Sequence, residues 1–302
     1  MKKHQLGTSD LVISEIGFGT MSLPQDEKEA IRLVHEAIDQ GINFFDTADL
    51  YDQGRIESVL GKAIKGKRDD LVIATKVGNH WEQGKDGWYW DPSKAYIKEA
   101  VKGSLQRLGI DAIDLYQLHG GTLDDPIDET IEAFEELKQE GLIRYYGISS
   151  IRPNVIREYV KRSNLVSVMM QYSLLDRRPE EAVLDLLHEH HISVIARGPV
   201  AKGLLSEKGL DKIPANGYLS HSPDELQKTI EQLLEHVKPR DLSQVALRYV
   251  IDHPAVATAI PGASRLSQLL DNAKAAQLEP LNQAERDSLR QLTPALFYDQ
   301  HR

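Results

Sequence analysis

The sequence predicts an α/β protein folded as a (β/α)8 TIM barrel, with an N-terminal β-hairpin and extra helices near the C-terminus. Short runs of β-branched and aromatic residues alternate with longer amphipathic stretches, which predicts a parallel sheet covered by helices. Eight strand–helix units can be traced, and eight is the number that closes such a sheet into a barrel. The 302 residues contain no Pro- or Ser-rich linker, so we expect one domain spanning residues 1–302.

The eight barrel strands are predicted from short apolar runs bounded by turn residues. In chain order they are residues 16–19, 43–45, 71–76, 113–118, 145–148, 166–170, 192–196 and 257–260. Residues 2–14 form two alternating runs around a Gly-Thr-Ser-Asp turn, which predicts a hairpin ahead of the barrel.

The helices are predicted from apolar residues at helical spacing between those strands. They are residues 26–40, 55–64, 92–108, 128–140, 153–162, 179–191, 242–252 and 266–276, with an additional terminal helix at 282–292. Gly109 and Gly141 lie where helix C-caps are expected, and Pro92, Pro153 and Pro179 where first turns begin. Residues 204–234 are predicted as a longer insertion before the seventh regular helix.

An open, doubly wound sheet is the competing architecture. It would predict a Gly-rich phosphate-binding turn after the first strand. Gly17-Phe18-Gly19 is followed by Thr-Met-Ser-Leu, so the third glycine of G-x-G-x-x-G is missing. The barrel is therefore favoured over a Rossmann-type nucleotide fold.

Composition excludes several classes of protein. The chain contains no cysteine, which rules out disulfide scaffolds, Cys-based zinc sites, iron–sulfur centres and cysteine nucleophiles. Lys plus Arg number 36 and Asp plus Glu 46, and this net charge of −10 argues against nucleic-acid or membrane partners. No apolar run is long enough for a signal peptide or a membrane span, so we expect a cytoplasmic protein. No protein partner is predicted.

Four polar residues follow consecutive predicted strands. Asp46 ends the second strand with Tyr51 in the loop beyond, Lys76 ends the third, and His119 follows the fourth. In a barrel the carboxyl ends of the strands form one catalytic rim, so these side chains are expected to meet there. Taken singly, Asp46 could cap a loop, Tyr51 could pack within a loop, and His119 could be a core histidine with its hydrogen bonds made. The lysine is the least easily explained, because a buried ammonium requires a partner.

Together the four residues predict a device that delivers a proton to a carbonyl oxygen. A phenol with a pKa of about 10 is a weak proton donor at neutral pH, and a neighbouring ammonium favours the phenolate. A carboxylate would hold the ammonium, and an imidazole would donate a hydrogen bond to the carbonyl. Such a device reduces a carbonyl when a hydride donor is supplied.

These residues lie in motifs that resemble those of the aldo-keto reductases. Residues 41–51 (GINFFDTADLY), continued by Glu57 and Gly61, resemble the first signature of that family. Residues 72–76 resemble its lysine motif, 114–119 its histidine motif, and 260–265 its late cofactor motif. The motifs occur in order between about residues 6 and 276. The segment Asp-Gln-Gly-Arg after Tyr51 is similar to sequences of the bacterial branch of that family, which includes relatives of the potassium-channel β-subunits.

The resemblance implies an NADPH/NADP+-dependent reductase of aldehydes and ketones, built on a (β/α)8 barrel. Tyr51 would be the general acid, Lys76 would favour its phenolate, Asp46 would pair with Lys76, and His119 would orient the carbonyl. Further residues would bind the cofactor, with Ser150 standing where asparagine is usual: Gly19, Thr20, Met21, Asp46, Ser149, Ser150, Gln171, Arg197, Gly198, Pro199, Gly203, Gly262, Ser264, Arg265, Gln268 and Asn272.

Two arginines carry the cofactor hypothesis. Arg197 replaces an aromatic residue that the family often stacks on the nicotinamide, and a planar guanidinium can stack there while bringing charge near the pyrophosphate. A rim arginine in a surface ion pair is the alternative. Arg265 follows Ser264 at the start of the eighth helix and, with Gln268, supplies a cation and donors for a 2′-phosphate. These residues predict a preference for NADPH over NADH.

An aromatic segment after the third strand is the candidate substrate wall. It contains Trp81, Trp88, Tyr89 and Trp90, with glycines at 84 and 87 that would let it move over the site. The alternative is a loop that packs its aromatic residues onto the barrel. Gly120 and Gly121 would leave open space beside His119.

Two other functions compete with the reductase. A cofactor-binding regulatory module of the channel β-subunit type would turn over slowly, and a Schiff-base enzyme would use Lys76 as its nucleophile. The late cofactor motif disfavours the Schiff-base enzyme. His188-Glu189-His190-His191 lacks the His-Glu-x-x-His spacing of a zinc site, so no metal is predicted.

Overall fold

The computed structural model describes residues 1–82 and 84–302. Its strands in chain order are β1 (Lys3–Gln5), β2 (Val12–Ser14), β3 (Phe18–Gly19), β4 (Phe44–Asp46), β5 (Val72–Val77), β6 (Asn79–His80), β7 (Tyr89–Trp90), β8 (Ile113–Leu118), β9 (Ile143–Ser149), β10 (Ser167–Gln171), β11 (Ser193–Arg197) and β12 (Val256–Ile260).

Eight of these strands form one parallel sheet in the order β3-β4-β5-β8-β9-β10-β11-β12. The two end strands lie side by side, because the Gly17 amide donates to the Ala259 carbonyl at 2.8 Å. A second backbone bond joins Gly19 to the Pro261 carbonyl at 3.3 Å. The (β/α)8 barrel predicted from the strand count is therefore confirmed.

The helices are α1 (Glu27–Asp39), α2 (Arg55–Ile64), α3 (Lys94–Leu108), α4 (Ile127–Gln139), α5 (Pro153–Arg162), α6 (Val183–Glu189), α7 (Pro223–His236), α8 (Leu242–Ile251), α9 (Leu266–Lys274) and α10 (Gln283–Leu292). Most helices are amphipathic and bury one face, as α1 buries Leu33 and Val34, whereas α8 is buried on nearly all sides. In the described parts of the chain, no helix is both long and apolar enough to cross a membrane.

The barrel interior is filled by side chains from alternate positions of the strands. One cluster contains Phe44, Ala74, Leu115, Met169 and Ile195, each from a different strand. The hairpin β1–β2 closes the amino-terminal end of this core, because its turn and second strand add three buried apolar side chains: Leu6, Leu11 and Ile13. The predicted hairpin is confirmed, and it places any opening at the carboxyl ends of the strands.

Several element boundaries differ from the prediction. The predicted helix 179–191 is two elements, a 3-10 turn at Arg178–Glu181 and α6, because Ala182 leaves helical dihedral angles at φ −162°. Pro92 does not begin α3; Ser93 caps that helix through its side chain. The insertion predicted at 204–234 contains a regular helix, α7, whose start has a complete capping box between Ser222 and Glu225. Gly109 caps the C-terminus of α3 and Pro153 begins α5, which confirms both predictions.

Gly61 of α2 lies against the backbone at the end of α3. A Cβ added at this position would be 2.4 Å from the Leu108 carbonyl oxygen. We expect Gly61→Ala to lower the free energy of unfolding by ~1–3 kcal/mol, since the clash outweighs the better helix propensity of alanine. Urea unfolding followed by circular dichroism measures this change. Gly103→Ala in α3 is the control, because the nearest atoms there belong to the flexible Arg107 side chain; equal losses would contradict the explanation.

Candidate active site

A buried ion pair joins two neighbouring barrel strands. Asp46 ends β4 and Lys76 lies one residue before the end of β5, and both side chains point into the barrel. Lys76 Nζ donates to Asp46 Oδ2 at 2.6 Å, although both side chains are almost completely excluded from solvent. Burial opposes a charged lysine, but the attraction of Asp46 and Tyr51 outweighs it and raises the pKa of Lys76. Lys76 is therefore an ammonium at neutral pH.

The Lys76 ammonium has three hydrogens, and each has an acceptor. Besides Asp46, it donates to the Thr47 carbonyl at 2.7 Å and to the Tyr51 hydroxyl oxygen at 3.1 Å. The nitrogen also lies 4.8 Å from the centre of the Tyr51 ring. The predicted contact between the lysine and the phenol is present, and the fixed ammonium stabilises negative charge on that phenol.

The turn after β4 places Tyr51 over the barrel. Asp52, Gln53 and Gly54 all have positive φ, at 50°, 49° and 81°, in the link from Tyr51 to α2. Left-handed conformations in two non-glycine residues are uncommon, and they carry strain at the element that positions the phenol. The Tyr51 amide also donates to the Ala48 carbonyl at 3.1 Å. The phenol therefore stands on a short, tightly folded loop.

His119 completes the group at the carboxyl end of β8. Its amide donates to the Val77 carbonyl at 2.7 Å, and its ring meets the Tyr51 ring edge to face at 5.9 Å between centres. Burial, with smaller contributions from Lys76 and Arg197, lowers the pKa of His119 to about 3. The imidazole is thus neutral at physiological pH. Its buried Nδ1 has no hydrogen-bond partner in the described residues.

The structure adds one side chain to this group that we did not predict. Gln117 is completely buried two residues before His119, and its Nε2 donates to Asp46 Oδ1 at 3.3 Å. The sequence contained a signal for it, because residues two apart on a strand share a face. A polar residue at the same alternation as His119 in a buried strand must point to the same interior.

The predicted nicotinamide-binding residues lie at the ends of the next three strands. Ser149 ends β9, Gln171 ends β10 and Arg197 ends β11. Arg197 Nη1 donates to Gln171 Oε1 at 2.9 Å, and Gln171 Nε2 donates to the Tyr218 hydroxyl at 3.0 Å. Arg197 therefore points into the barrel mouth, toward Gln171. Ser150 follows as a buried residue whose hydroxyl accepts from the Arg152 amide at 3.2 Å.

The residues predicted for the phosphate end lie between β3 and α9. The Ser264 amide and hydroxyl donate to Gln268 Oε1 at 3.0 and 3.2 Å, so Gln268 folds back over the start of α9. Asn272 Nδ2 donates to the Gly262 carbonyl at 3.3 Å. Gly262 has no space for a side chain, since its Cβ would be 2.4 Å from Ser22 Oγ.

The residues at the end of the first barrel strand, β3, lie beside the same region. The Thr20 hydroxyl donates to the Asp46 carbonyl at 2.8 Å, which links this segment to the end of β4. Gly19 pairs with Gly262 across the barrel closure, and Met21 is 69% exposed. In the loop after β11, Gly198 and Gly203 have positive φ, and Pro199 between them is buried.

The aromatic segment divides into packed and exposed residues. Trp81 lies under the Arg107 guanidinium at 5.8 Å, and Trp90 donates from Nε1 to Asp125 Oδ1 at 2.9 Å. Trp88 and Tyr89 are each about half exposed, at 56% and 51%. A two-stranded ribbon, β6–β7, holds Tyr89 and Trp90, and no pattern in the sequence predicts it.

The prediction of open space at Gly120 is wrong. A Cβ on Gly120 would be 3.2 Å from the Trp90 ring, and one on Gly78 would be 2.6 Å from it. The indole therefore occupies the space that these glycines create. Trp90 forms a wall close to His119.

No group of three or more His, Asp or Glu side chains is placed to hold a metal ion in residues 1–82 and 84–302. The histidine run lies at the end of α6. His188 is in its last turn, His190 caps it, and His191 turns the chain at φ 55°.

Comparisons with known proteins agree with this geometry. The model of the Aldo/keto reductase family matches residues 15–293. The chain is 58% identical to an uncharacterized oxidoreductase, YqkF, of Bacillus subtilis, over 100% of both chains. It is 31% identical to the NADH-specific methylglyoxal reductase of Escherichia coli, over 98% of this chain and 99% of that protein. Among solved structures, an aldo-keto reductase from Bacillus halodurans in its holo form has a TM-score of 0.95, with 60% identity over 100% of this chain and 99% of that one.

Proposed function

Since the chain belongs to the aldo-keto reductase family of oxidoreductases, we propose that it reduces aldehydes or ketones to alcohols with NADPH, in a reversible reaction. One observation carries the proposal. A phenol, Tyr51, lies 3.1 Å from a buried ammonium, Lys76, and faces a neutral imidazole, His119. That combination suits proton transfer to a carbonyl oxygen in a site shielded from water.

Tyr51 is the proton donor in this proposal. As its proton moves to the carbonyl oxygen, negative charge develops on the phenol oxygen that Lys76 already contacts. The ammonium is held by Asp46 and by the Thr47 carbonyl, so it needs no reorganisation when that charge appears. In alcohol oxidation the same atoms act in reverse, and the phenolate takes the proton.

His119 orients the substrate but does not supply the proton. With its pKa lowered to about 3, the ring is neutral, and only a minute fraction carries an extra proton at pH 7. A neutral imidazole can still donate one hydrogen bond to a carbonyl oxygen. This separation of roles supports Tyr51 as the acid.

The residues at the barrel mouth fit a nicotinamide cofactor, which would supply the hydride when bound. Ser149, Ser150 and Gln171 would hold the carboxamide, and Arg197 would lie against the ring and toward the pyrophosphate. Two observations support the fit. Gly262 is confined by Ser22, whose buried hydroxyl has no partner in the described residues. The space beside Gly198 is open, because a side chain there would meet only Gln171, at 3.8 Å.

A 2′-phosphate would bind at the start of α9. Arg265 is exposed at the N-cap position, where the first amides of the helix are available to an anion. Ser264 and Gln268 lie beside it and can contribute polar groups. This arrangement favours NADPH over NADH. The loop residues Gly19, Thr20, Met21, Gly203 and Asn272 would complete the cofactor site.

We expect Arg265→Ala to weaken NADPH binding by about 10- to 100-fold, since a charge-assisted hydrogen bond to phosphate contributes ~1.5–3 kcal/mol. NADH binding should change by less than about threefold, because NADH has no 2′-phosphate. Quenching of protein fluorescence measures both dissociation constants. Lys274→Ala, at the far end of the same helix, is the control for a general loss of positive charge. Equal effects on the two cofactors would count against the assignment.

The proposed function is tested with a panel of aldehydes and ketones, followed by the decrease in NADPH absorbance. Turnover of at least one class is the expected result. Tight NADPH binding without oxidation across the panel would instead favour the regulatory module. In the substrate wall we expect the exposed pair Trp88 and Tyr89 to contact larger substrates, with Trp81 and Trp90 behind them.

A further inference from the structure

A second pair of carboxyl groups lies behind the proton-donating site. Asp49 is in the loop between Asp46 and Tyr51, and it is 1% exposed. Both of its carboxyl oxygens are buried, and neither has a hydrogen-bond partner in the part of the chain that the structure describes. An ionised carboxylate in such a place is strongly disfavoured. The loop that presents the phenol therefore contains an acid that the proton transfer does not use.

The neighbouring acid, Glu57 of α2, is in the opposite situation. It is completely buried, but its oxygens accept from Thr75 Oγ1 at 2.6 Å and from Arg107 Nε at 2.7 Å. Gly54 makes the second contact possible, because a Cβ there would be 2.6 Å from the Arg107 side chain. Glu57 is thus held by the Arg107 guanidinium, and its negative charge acts on Asp49.

Charged and titratable groups face Asp49 from every element that packs against its loop. They are Glu57 on α2, Arg107 and Tyr96 on α3, Lys76 on β5 and Tyr116 on β8. The Tyr116 hydroxyl is also buried without a partner in residues 1–82 and 84–302. Burial, followed by the charge of Glu57, raises the pKa of Asp49 to about 8. Lys76 and Arg107 act in the opposite direction without cancelling this rise.

Asp49 is connected to the proton donor through the backbone. Its amide donates to the Lys76 carbonyl at 3.3 Å, while the Thr47 carbonyl accepts from Lys76 Nζ at 2.7 Å. The Tyr51 amide then donates to Ala48. A movement of Asp49 would therefore change the distance between the phenol and the ammonium.

We propose that Asp49 is a positioning residue, whose carboxyl must carry a proton for the loop to hold Tyr51 against Lys76. Loss of that proton places a second negative charge beside Glu57, at a carboxyl group to which no side chain of the described residues donates a hydrogen bond. The loop then loosens and the phenol leaves the ammonium. The inference rests on the proposed reductase function and adds the ionisation of Asp49 to its pH dependence.

The test compares Asp49→Asn with the wild-type enzyme by the ratio of their kcat values across pH, in alcohol oxidation with NADP+. The ratio isolates the pH dependence that differs between the two proteins. Asparagine resembles the protonated acid, so we expect the ratio of variant to wild type to rise at least threefold from pH 7 to pH 9.5, with similar KM values. A role in packing alone would change kcat by the same factor at every pH and give a flat ratio, which would overturn the proposal.

Two further variants sharpen the comparison. Glu57→Gln removes the neighbouring charge, so the loss of wild-type activity attributed to Asp49 should move to lower pH. Asp124→Asn replaces an exposed acid of the same type and should give a flat ratio. The assignment to Asp49 would be contradicted if Glu57→Gln lost activity at the same pH as the wild type. It would also be contradicted if the kcat ratio of Asp124→Asn to wild type rose with pH.

Thermal unfolding without cofactor or substrate tests the protonation of Asp49 separately from the proposed function. An acid whose pKa is raised in the folded state stabilises the fold fully below its unfolded pKa of about 4, and that contribution is lost as pH rises through about 8. The Tm of Asp49→Asn minus that of the wild type should therefore increase between pH 5 and pH 9. A constant difference overturns the buried, protonated Asp49. Absence of any wild-type turnover overturns the proposed function, whereas turnover with a flat kcat ratio overturns only this inference.

Discussion

Replacing Tyr51 with phenylalanine is expected to lower kcat for carbonyl reduction by ~10²–10⁴-fold, the range associated with loss of a positioned general acid. The ring remains, so its edge-to-face contact with His119 and the position of Lys76 over it should persist. The NADPH dissociation constant should therefore change by less than about twofold. Steady-state kinetics with an aldehyde and a direct cofactor titration measure the two quantities.

Tyr145→Phe is the matched control for the loss of a phenol. Tyr145 lies near the closed end of the barrel, where its hydroxyl accepts from the Asp10 amide at 3.3 Å. We expect this variant to retain most of the wild-type kcat. If Tyr51→Phe retained it as well, His119 or a bound water would have to deliver the proton, and the assignment of the acid would be wrong.

Replacing Lys76 with methionine is expected to affect both activity and folding. The change removes all three hydrogen bonds of the ammonium and leaves Asp46 as a buried carboxylate with only a 3.3 Å contact to Gln117. Breaking one side of a buried ion pair destabilises a protein by ~3–5 kcal/mol. Reductase activity should fall by at least ~100-fold, since the phenolate loses its counter-charge. Urea unfolding and steady-state kinetics measure the two effects.

The double variant Lys76→Met/Asp46→Asn tests this explanation. It removes the uncompensated charge, so it should be more stable than Lys76→Met alone while remaining inactive. The single variant should also recover stability toward pH 4, because protonation of Asp46 neutralises it. Equal instability of the single and double variants at all pH values would mean that packing, and not the charge, causes the loss.

The meeting of Asp46, Lys76 and His119 at one rim could be predicted because strand position is a short-range property. Asp46, Lys76 and His119 follow apolar runs whose ends can be read directly, and a parallel barrel brings such ends to one rim. Gln117 and Asp49 were missed for different reasons. Gln117 was readable from strand alternation. The charges that act on Asp49 include those of Glu57 and Arg107, which lie on two other elements and have no local signal near Asp49.

The errors outside the site have the same origin. The helix predicted at 179–191 has continuous apolar spacing, yet the dihedral angles change at Ala182, which the spacing does not reveal. The segment predicted as an insertion contains the helix α7, whose Ser-Pro-Asp-Glu start is a typical N-terminal signal in the sequence. The space beside Gly120 is filled by Trp90, thirty residues earlier in the chain, and only tertiary packing decides that.

The hairpin that closes the amino-terminal end of the barrel divides its interior by depth. The lower layers are mostly hydrocarbon, with the buried hydroxyls of Ser167 and Thr258 among them. The uppermost inward positions hold Asp46, Lys76, Gln117, Gln171 and Arg197. An engineer could redesign the lower half for heat resistance, exchanging one apolar shape for another, without touching a group that handles protons. Changes of substrate would come from the loops above it. The chain thus offers two nearly independent regions for protein engineering, stacked along a single axis.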